Sequence, residues 1–206
     1  MKDIFGQPII KSKIVIQQPV ISGLDYIPNW ISEQEHNNLL AAIDTMPWET
    51  TLKRRVQQYG FLYDYRKAKN MTMSHKDNYL GELPLFLDLI AQRLFDEKIF
   101  LEKPDEVLVN EYLPGQGIAQ HIDCLPCFSD TVVAISLGSQ CIMDLKKDNE
   151  IVYKFLDKMS LLIIKGEARY EWSHGIRANK TDVINGKLVK RTRRVSVTFR
   201  KTTPIS

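Results

Sequence analysis

The stretch VLVNEYLPGQGIAQHID, residues Val107–Asp123, carries the pattern that decides the fold. It is typical of a strand, a turn and a second strand. Side chains two positions apart in a strand lie on one face, so His121 and Asp123 are expected to point the same way. His174, further along the chain, could supply a second imidazole. Two imidazoles and one carboxylate form the facial triad that suits Fe(II) with open coordination positions.

The chain around this stretch predicts a mainly β fold. After Glu106, short apolar segments of strand length alternate with turns, and Asn185-Gly186 marks one further turn. The predicted strands cover residues 107–113, 131–138, 141–145, 151–155, 160–165 and 193–201. Many short strands at close spacing favour a sandwich, a barrel or a jelly roll.

Two amphipathic helices are predicted before this β region. Ser32 and Glu35 form an S-x-x-E capping box, which predicts a helix over residues 32–45. Apolar residues recur at helical spacing in residues 84–97, which predicts a second helix. Residues 14–16 are apolar and β-branched, so they could form a short edge strand.

Composition limits the class of protein. The chain has 206 residues, of which 44% are hydrophobic and 26% charged, so one domain with a sizeable core is expected. The net charge of +3 is small, so any affinity for nucleic acid must come from a local patch. Three cysteines do not make a disulfide framework, and their odd number is typical of a reducing compartment. With no signal peptide or membrane span in the sequence, we expect a cytoplasmic protein.

A basic and aromatic segment precedes the second helix. Lys53, Arg54 and Arg55 stand directly before aromatic residues at alternate positions, which are Tyr59, Phe61, Tyr63 and Tyr65. Basic charge beside a row of flat rings can hold phosphates and stack bases. An antiparallel strand with an aromatic core face and a solvated basic end would explain the same residues.

The segment RRVSVTFRK, residues 193–201, has two different faces. As a strand it would place Val195, Val197 and Phe199 on one face, and Arg194, Ser196, Thr198 and Arg200 on the other. The planar fork of arginine matches a carboxylate, so the two arginines could bracket a short dicarboxylate. Asn110 and Tyr112 are two apart on another predicted strand and would add donors. An exposed strand face would also tolerate two arginines.

Four motifs taken together resemble the AlkB family of Fe(II)- and 2-oxoglutarate-dependent dioxygenases. They are N-E-Y at 110–112, H-I-D at 121–123, S-H-G-I at 173–176 and R-V-S-V-T-F-R at 194–200. The resemblance covers roughly residues 107–201. RRVQQYG, residues 54–60, looks like the part of the family that contacts the substrate.

The resemblance implies an α+β fold that is mainly β, with a double-stranded β-helix (jelly-roll) core, N-terminal helices and a substrate lid. Residues 1–105 would form an N-terminal extension with two helices and a nucleotide-recognition lid. Residues 106–206 would form the dioxygenase core, in one integrated domain with the extension.

The resemblance also implies roles for individual residues. His121, Asp123 and His174 would bind Fe(II). The residues implied for 2-oxoglutarate are Arg194 and Tyr112 at its distal carboxylate, Arg200 and Asn110 near its metal-bound end, and Ser196, where the family often has asparagine. The residues assigned to the substrate are Arg54, Arg55, Tyr59, Tyr63 and Asp130. Asp130 would line the substrate entrance, or it would only cap a turn.

Such an enzyme uses Fe(II), 2-oxoglutarate and dioxygen to hydroxylate a C–H group, giving succinate and carbon dioxide. An N-methyl group so oxidised is lost as formaldehyde. The chain is expected to be a monomer. Its expected partner is alkylated single- or double-stranded DNA or RNA, with tRNA as one candidate. Three alternatives remain open: hydroxylation of a modified tRNA base, demethylation of a protein side chain, and a non-catalytic jelly-roll binding module.

Four residues near these motifs have more than one interpretation. Cys124 and Cys127 could be half of a zinc site or a redox pair, but the chain lacks partners for a zinc tetrad, which favours loop cysteines. Glu167 and Arg169 would support His174 or form a simple turn pair.

Overall fold

The computed structural model describes residues 20–63, 78–184 and 186–203. The helices are α1 (Glu33–Thr45), α2 (Leu85–Asp96) and α3 (Gly166–Tyr170). The strands are β1 (Leu24–Ile27), β2 (Val56–Tyr59), β3 (Glu106–Tyr112), β4 (Ile118–His121), β5 (Phe128–Gly138), β6 (Cys141–Lys147), β7 (Glu150–Leu156), β8 (Leu161–Ile164), β9 (Ser173–Ile176), β10 (Thr181–Ile184), β11 (Lys187–Lys190) and β12 (Arg194–Thr202). The predicted edge strand at 14–16, Tyr65 and part of the predicted lid, residues 64–77, lie outside the described residues.

Both predicted long helices are present. Ser32 caps α1, since its Oγ accepts from Glu35 N at 3.2 Å and its own N–H donates to Glu35 Oε2 at 2.7 Å. This reciprocal pair is the predicted capping box. Pro84 stands immediately before α2, where its missing N–H costs no helical hydrogen bond. Within the part of the chain that the structure describes, no helix is long and apolar enough to cross a membrane.

Two antiparallel sheets form the core. The larger sheet has the order β1-β8-β5-β12-β3-β2, and the smaller sheet has the order β4-β9-β6-β7. β10 and β11 form a separate hairpin whose turn includes Gly186. The two facing sheets form the double-stranded β-helix, and the mainly β fold class is thereby confirmed.

Side chains alternate between the two faces of the larger sheet, and each face packs into a separate apolar core. Val195, Val197 and Phe199 of β12 are fully buried on the face that packs against α1 and α2. On the opposite face, Leu162 and Ile164 of β8 pack against the smaller sheet. Polar residues of β12 therefore point into the space between the two sheets, as the two-faced pattern predicted.

The predicted row of aromatic residues is wrong in part, because β2 ends at Tyr59, immediately before Gly60. Gly60 has a φ of +75°, and a Cβ there would lie 1.8 Å from Asp105 O, so only glycine fits. Before this break, Tyr59 packs in the helix-side core, with its ring centroid 6.4 Å from that of Phe86. After it, Tyr63 packs against Phe128, with centroids 5.8 Å apart. The two tyrosines consequently face different parts of the molecule.

The structure distinguishes between the interpretations of the cysteines. Cys124 and Cys127 form a disulfide, which agrees with the redox-pair alternative and not with half of a zinc site. Cys141 is free and buried. A sequence with three cysteines does not reveal which of them pair, because pairing depends on the distance between them in the fold.

Candidate active site

The two histidines are brought together by strand pairing. β4 and β9 are antiparallel neighbours, and His121 lies directly opposite His174 in their register. Their ring centroids are 4.4 Å apart. Asp123 follows β4 and places Oδ1 3.3 Å from His121 Nε2 and 3.8 Å from His174 Nε2. One ligand atom from each residue lies within 4.8 Å of the others.

Neighbouring groups orient these three side chains. His121 Nδ1 lies 2.9 Å from Ala119 O, which directs Nε2 toward the cluster. Arg169 is buried and donates to Asp123 O at 2.8 Å and to Cys124 O at 3.0 Å. It supports the backbone of the aspartate rather than His174, which was the predicted target.

The electrostatics of the cluster favour an ionised carboxylate and one neutral imidazole. Burial opposes ionisation of Asp123, but the hydrogen bond with His121 and the charge of Arg200 outweigh it and hold the pKa of the carboxyl well below its usual range. Burial lowers the pKa of His174 to about 4. Burial also opposes protonation of His121, yet its contact with Asp123 raises the pKa of this imidazole.

The donor set fits Fe(II). Two imidazole nitrogens and one carboxylate oxygen come together on one side of a cavity, which leaves room for further ligands on the other. Within the described ranges, this is the only group of three or more His, Cys, Asp or Glu side chains close enough to hold a metal ion.

The cavity lies between the two sheets and has a volume of about 350 Å³. It is lined by all three predicted metal ligands and by all five residues predicted to bind 2-oxoglutarate: Asn110, Tyr112, Arg194, Ser196 and Arg200. Arg54 and Tyr63 line it as well. The apolar part of the wall comes from both sheets and includes Leu108, Leu162 and Ile176.

The hydrogen-bond donors of the Arg194 guanidinium group are suited to binding an anion. Its side chain is buried, and Nη2 donates to Ser136 Oγ at 2.9 Å. Nε and Nη1 have no hydrogen-bond partner among the described residues. Buried guanidinium donors without partners are costly, and a carboxylate beside them would supply an acceptor. The cavity therefore fits the distal carboxylate of 2-oxoglutarate at this end.

Arg200 is arranged differently from Arg194. Its Nε and Nη2 donate to the two carboxylate oxygens of Glu106 at 2.7 Å each, and both side chains are buried. Nη1 lies 3.4 Å from Asp123 Oδ2. Arg200 thus holds the metal ligand, and its fork is not open to bracket a dicarboxylate with Arg194, which corrects that prediction. Glu106 was missed, although its position two residues before Leu108 places it on the same strand face.

Arg54 and Arg55 point to opposite sides of the larger sheet. Arg54 Nε donates to Asn110 Oδ1 at 2.8 Å, inside the cavity. Arg55 forms an ion pair with Glu111 on the other face, where Arg193 also contacts this carboxylate. The assignment of Arg55 to the substrate site is therefore corrected, because successive residues alternate across the sheet.

Three other assigned residues lie outside the cavity lining. Tyr59 donates to Gln57 Oε1 at 2.9 Å, and burial raises its pKa to about 12. Asp130 lies in β5, not in a turn, and accepts from Gly166 N at 3.3 Å at the start of α3. Glu167 pairs with Lys147 at 2.9 Å near the surface, so it is not a support for His174.

Sequence comparison identifies relatives over nearly the whole chain. The 2OG-Fe(II) oxygenase superfamily matches residues 23–200. The uncharacterized protein L905 of Acanthamoeba polyphaga mimivirus is 33% identical over 183 residues, which are 87% of this chain and 85% of that protein. The alkylated DNA repair protein ALKBH8 homolog of Arabidopsis thaliana is 34% identical, over 88% of this chain and 58% of its own length.

A longer relative and a solved structure extend the comparison. The tRNA (carboxymethyluridine(34)-5-O)-methyltransferase alkbh8 of Xenopus tropicalis is 34% identical over 92% of this chain, which spans only 33% of that protein. The structure of OsALKBH1 superimposes with a TM-score of 0.64 at 17% identity, covering 89% of this chain and 100% of the other. At that identity the superposition shows a shared fold.

Proposed function

The chain belongs to the 2OG-Fe(II) oxygenase superfamily, and within it to the AlkB family, and from that premise we propose that it oxidatively demethylates N-alkylated bases in DNA or RNA. Its cofactors are Fe(II), 2-oxoglutarate and dioxygen. The observation that carries the proposal is the cavity in which a His-Asp-His cluster faces a buried arginine with two open donors.

Fe(II) with 2-oxoglutarate and dioxygen supplies an oxidative decarboxylation, to succinate and carbon dioxide, that is coupled to hydroxylation of a substrate C–H. His121, Asp123 and His174 would hold the metal. Arg194 would bind the distal carboxylate of 2-oxoglutarate, and Arg200 keeps Asp123 in place. The apolar walls exclude water, which protects the reaction from side products. An N-hydroxymethyl base then breaks down to formaldehyde and the free base.

The choice of nucleic acid is supported by relatives. The Arabidopsis relative is named an alkylated DNA repair protein, and a DNA N6-methyl adenine demethylase of Caenorhabditis elegans is 29% identical over 88% of this chain. A cavity between two sheets is reached only by a base that is flipped or unpaired. Arg54 and Tyr63 at the cavity wall would contact such a base or its phosphate.

A second candidate is oxidation of a modified tRNA base. The name of the Xenopus relative refers to a modified uridine of tRNA, and this chain matches one third of that protein at a similar level of identity. The same cavity would serve either substrate. The monomeric state and the cytoplasmic location stay predictions.

The test is to load the protein with Fe(II) and 2-oxoglutarate without oxygen, and then to expose it to air with methylated single- and double-stranded DNA, RNA and tRNA. Loss of a methyl mass with formation of succinate would support demethylation. Gain of an oxygen mass without loss of methyl would favour the tRNA candidate. Succinate without a changed nucleic acid would contradict both. His121→Ala should abolish succinate formation in every case.

A further inference from the structure

A second groove adjoins the active-site cavity. It has a volume of about 600 Å³ and follows the loop at 113–117, which joins β3 to β4. Ile118, Ala119 and Ile176 line both the groove and the cavity, so the two spaces share a wall. Leu145 pairs with His174 on the inner face of the smaller sheet, so Lys146 of the groove points to the outer face. β4 is the edge strand of that sheet, and the consecutive residues Lys53 and Arg54 line the groove and the cavity respectively. A base carried by a strand in the groove would therefore reach the cavity around the edge of β4.

The groove is positively charged. Lys53, Lys146 and Arg177 line it, and Asp144 is the single acidic residue among its described lining residues. Asp144 is buried and accepts from Arg177 Nε at 2.6 Å, so these two charges cancel. The two lysines remain. Lys180 lies beside the groove, because its Cγ is 3.7 Å from the position that a Cβ on Gly115 would take. It therefore adds a third positive charge.

The loop that forms the groove floor is fixed in place. Gln116 Nε2 donates to Lys53 O at 2.7 Å, which ties the lysine-bearing segment to the loop. Gly115 N donates to Asn179 O at 3.0 Å. A Cβ on Gly117 would lie 2.1 Å from Ile176 O, so glycine is required for this close approach to β9. The lysines are thus held on a preformed surface, which lowers the cost of binding.

The groove continues away from the active site into a third space, which shares Lys53 and Gln116 with it. Cations in that third space are already paired: Arg193 contacts both Asp44 and Glu111, and Arg55 contacts Glu111. The open positive charge is therefore concentrated next to the active site, at Lys53, Lys146 and Lys180.

We propose that this groove binds the phosphate backbone of a single-stranded nucleic acid whose modified base enters the adjacent cavity. The inference rests on the proposed function and adds the path of the strand. Lysine ammonium groups contact phosphates as point charges without reading the sequence. The groove would therefore determine the affinity for the nucleic acid, and the cavity would determine which base is accepted.

The test compares two triple variants with equal loss of charge. The groove variant is Lys53→Ala/Lys146→Ala/Lys180→Ala. The control is Lys98→Ala/Lys103→Ala/Lys158→Ala, whose lysines line neither the groove nor the cavity. Binding of a fluorescein-labelled single-stranded RNA to the Fe(II)- and 2-oxoglutarate-loaded protein is followed without oxygen, by anisotropy, across a salt series.

Loss of three phosphate contacts should lower the slope of log K against log[salt] by about 2, at roughly 0.7 for each contact in a single strand. The groove variant should show this loss and a raised KM for the oligonucleotide, with unchanged oxidation of the free modified nucleoside. The control should match the wild type. An unchanged salt slope in the groove variant would overturn the proposal, and so would an equal loss of slope in the control. Tight binding of polyglutamate by the wild type that disappears in the groove variant would also overturn it. If the wild-type protein oxidises no nucleic acid, the proposed function fails instead.

Discussion

Arg200 and Glu106 form a buried, bidentate ion pair directly behind Asp123, with both hydrogen bonds at 2.7 Å. They are register partners on β12 and β3, so sheet pairing sets their separation. The third contact of Arg200, to Asp123 Oδ2 at 3.4 Å, connects this pair to the candidate metal centre. One guanidinium group therefore contributes both to the stability of the sheet and to the position of the metal ligand.

Glu106→Gln should be strongly destabilising, because it leaves the Arg200 charge buried and only partly compensated. Breaking a buried pair in this way costs about 3–5 kcal/mol of unfolding free energy. Urea denaturation followed by circular dichroism would measure the loss. The matched control is Glu171→Gln, which removes an exposed partner of Lys147 and should cost less than about 1 kcal/mol. Equal effects of the two substitutions would contradict the role assigned to Glu106.

Arg194→Met should raise the KM for 2-oxoglutarate by roughly 10- to 100-fold, since hydrogen bonds to a charged group contribute about 1.5–3 kcal/mol. The decisive comparison uses 2-oxobutanoate, a 2-oxo acid that lacks the distal carboxylate. Wild-type protein should strongly prefer 2-oxoglutarate, and the variant should lose that preference. A variant that still prefers 2-oxoglutarate would show that the two open donors of Arg194 face something else.

The sequence predicted this region well because strand alternation is a local property. Arg194 and Ser196 fall on the inward face of β12 for the same reason that Val195 falls on the outward face. Glu106 and Arg169 were harder to assign, since their roles depend on partners 94 and 46 residues away. Pairings of that range follow from the register between strands and from helix placement, and no local pattern encodes them.

Separate substitutions of Arg54 and Arg55 test whether their side chains point to opposite faces of the larger sheet. Arg54→Ala should raise the KM for an oligonucleotide about tenfold, since one charged contact contributes roughly 1.5–3 kcal/mol. Arg55→Ala should change this KM little, because its side chain pairs with Glu111 outside the cavity. It should instead lower the melting temperature. Steady-state kinetics and thermal melts of both variants check this, and equal changes in KM would return Arg55 to the substrate site.

The cluster of Asp44, Glu111 and Arg193 predicts a pH dependence of stability. The hydrogen bond from Arg193 lowers the pKa of Asp44. Burial opposes ionisation of Glu111, but hydrogen bonds from Arg55 and Arg193 outweigh it and lower its pKa. Groups with a lowered pKa in the folded state stabilise it above their unfolded pKa, about 3.9 for Asp and 4.3 for Glu. That stability is lost as the pH falls through the folded values.

Arg193→Gln should therefore flatten the fall in unfolding free energy on acidification below about pH 4.5, near the unfolded pKa of glutamate. Urea denaturation at a series of pH values measures the slope for both proteins. Lys103→Gln removes an exposed partner of Asp88 and should leave the slope as in the wild type. A parallel curve for Arg193→Gln, displaced but not flattened, would mean that the two carboxyl groups titrate alike in the folded and unfolded chains.

The Cys124–Cys127 disulfide begins one residue after Asp123, and Arg169 donates to the carbonyl oxygens of both Asp123 and Cys124. Closing so short a loop should stabilise the fold by about 2 kcal/mol. Reduction with dithiothreitol is then expected to lower the melting temperature by roughly 4–8 °C for a chain of this size. It should also weaken Fe(II) binding, because the segment that follows Asp123 gains freedom. Cys124→Ser/Cys127→Ser should melt like the reduced protein and not respond to the reductant. Titration that finds all three thiols free, with an unchanged melting temperature and Fe(II) affinity, would contradict this role of the disulfide.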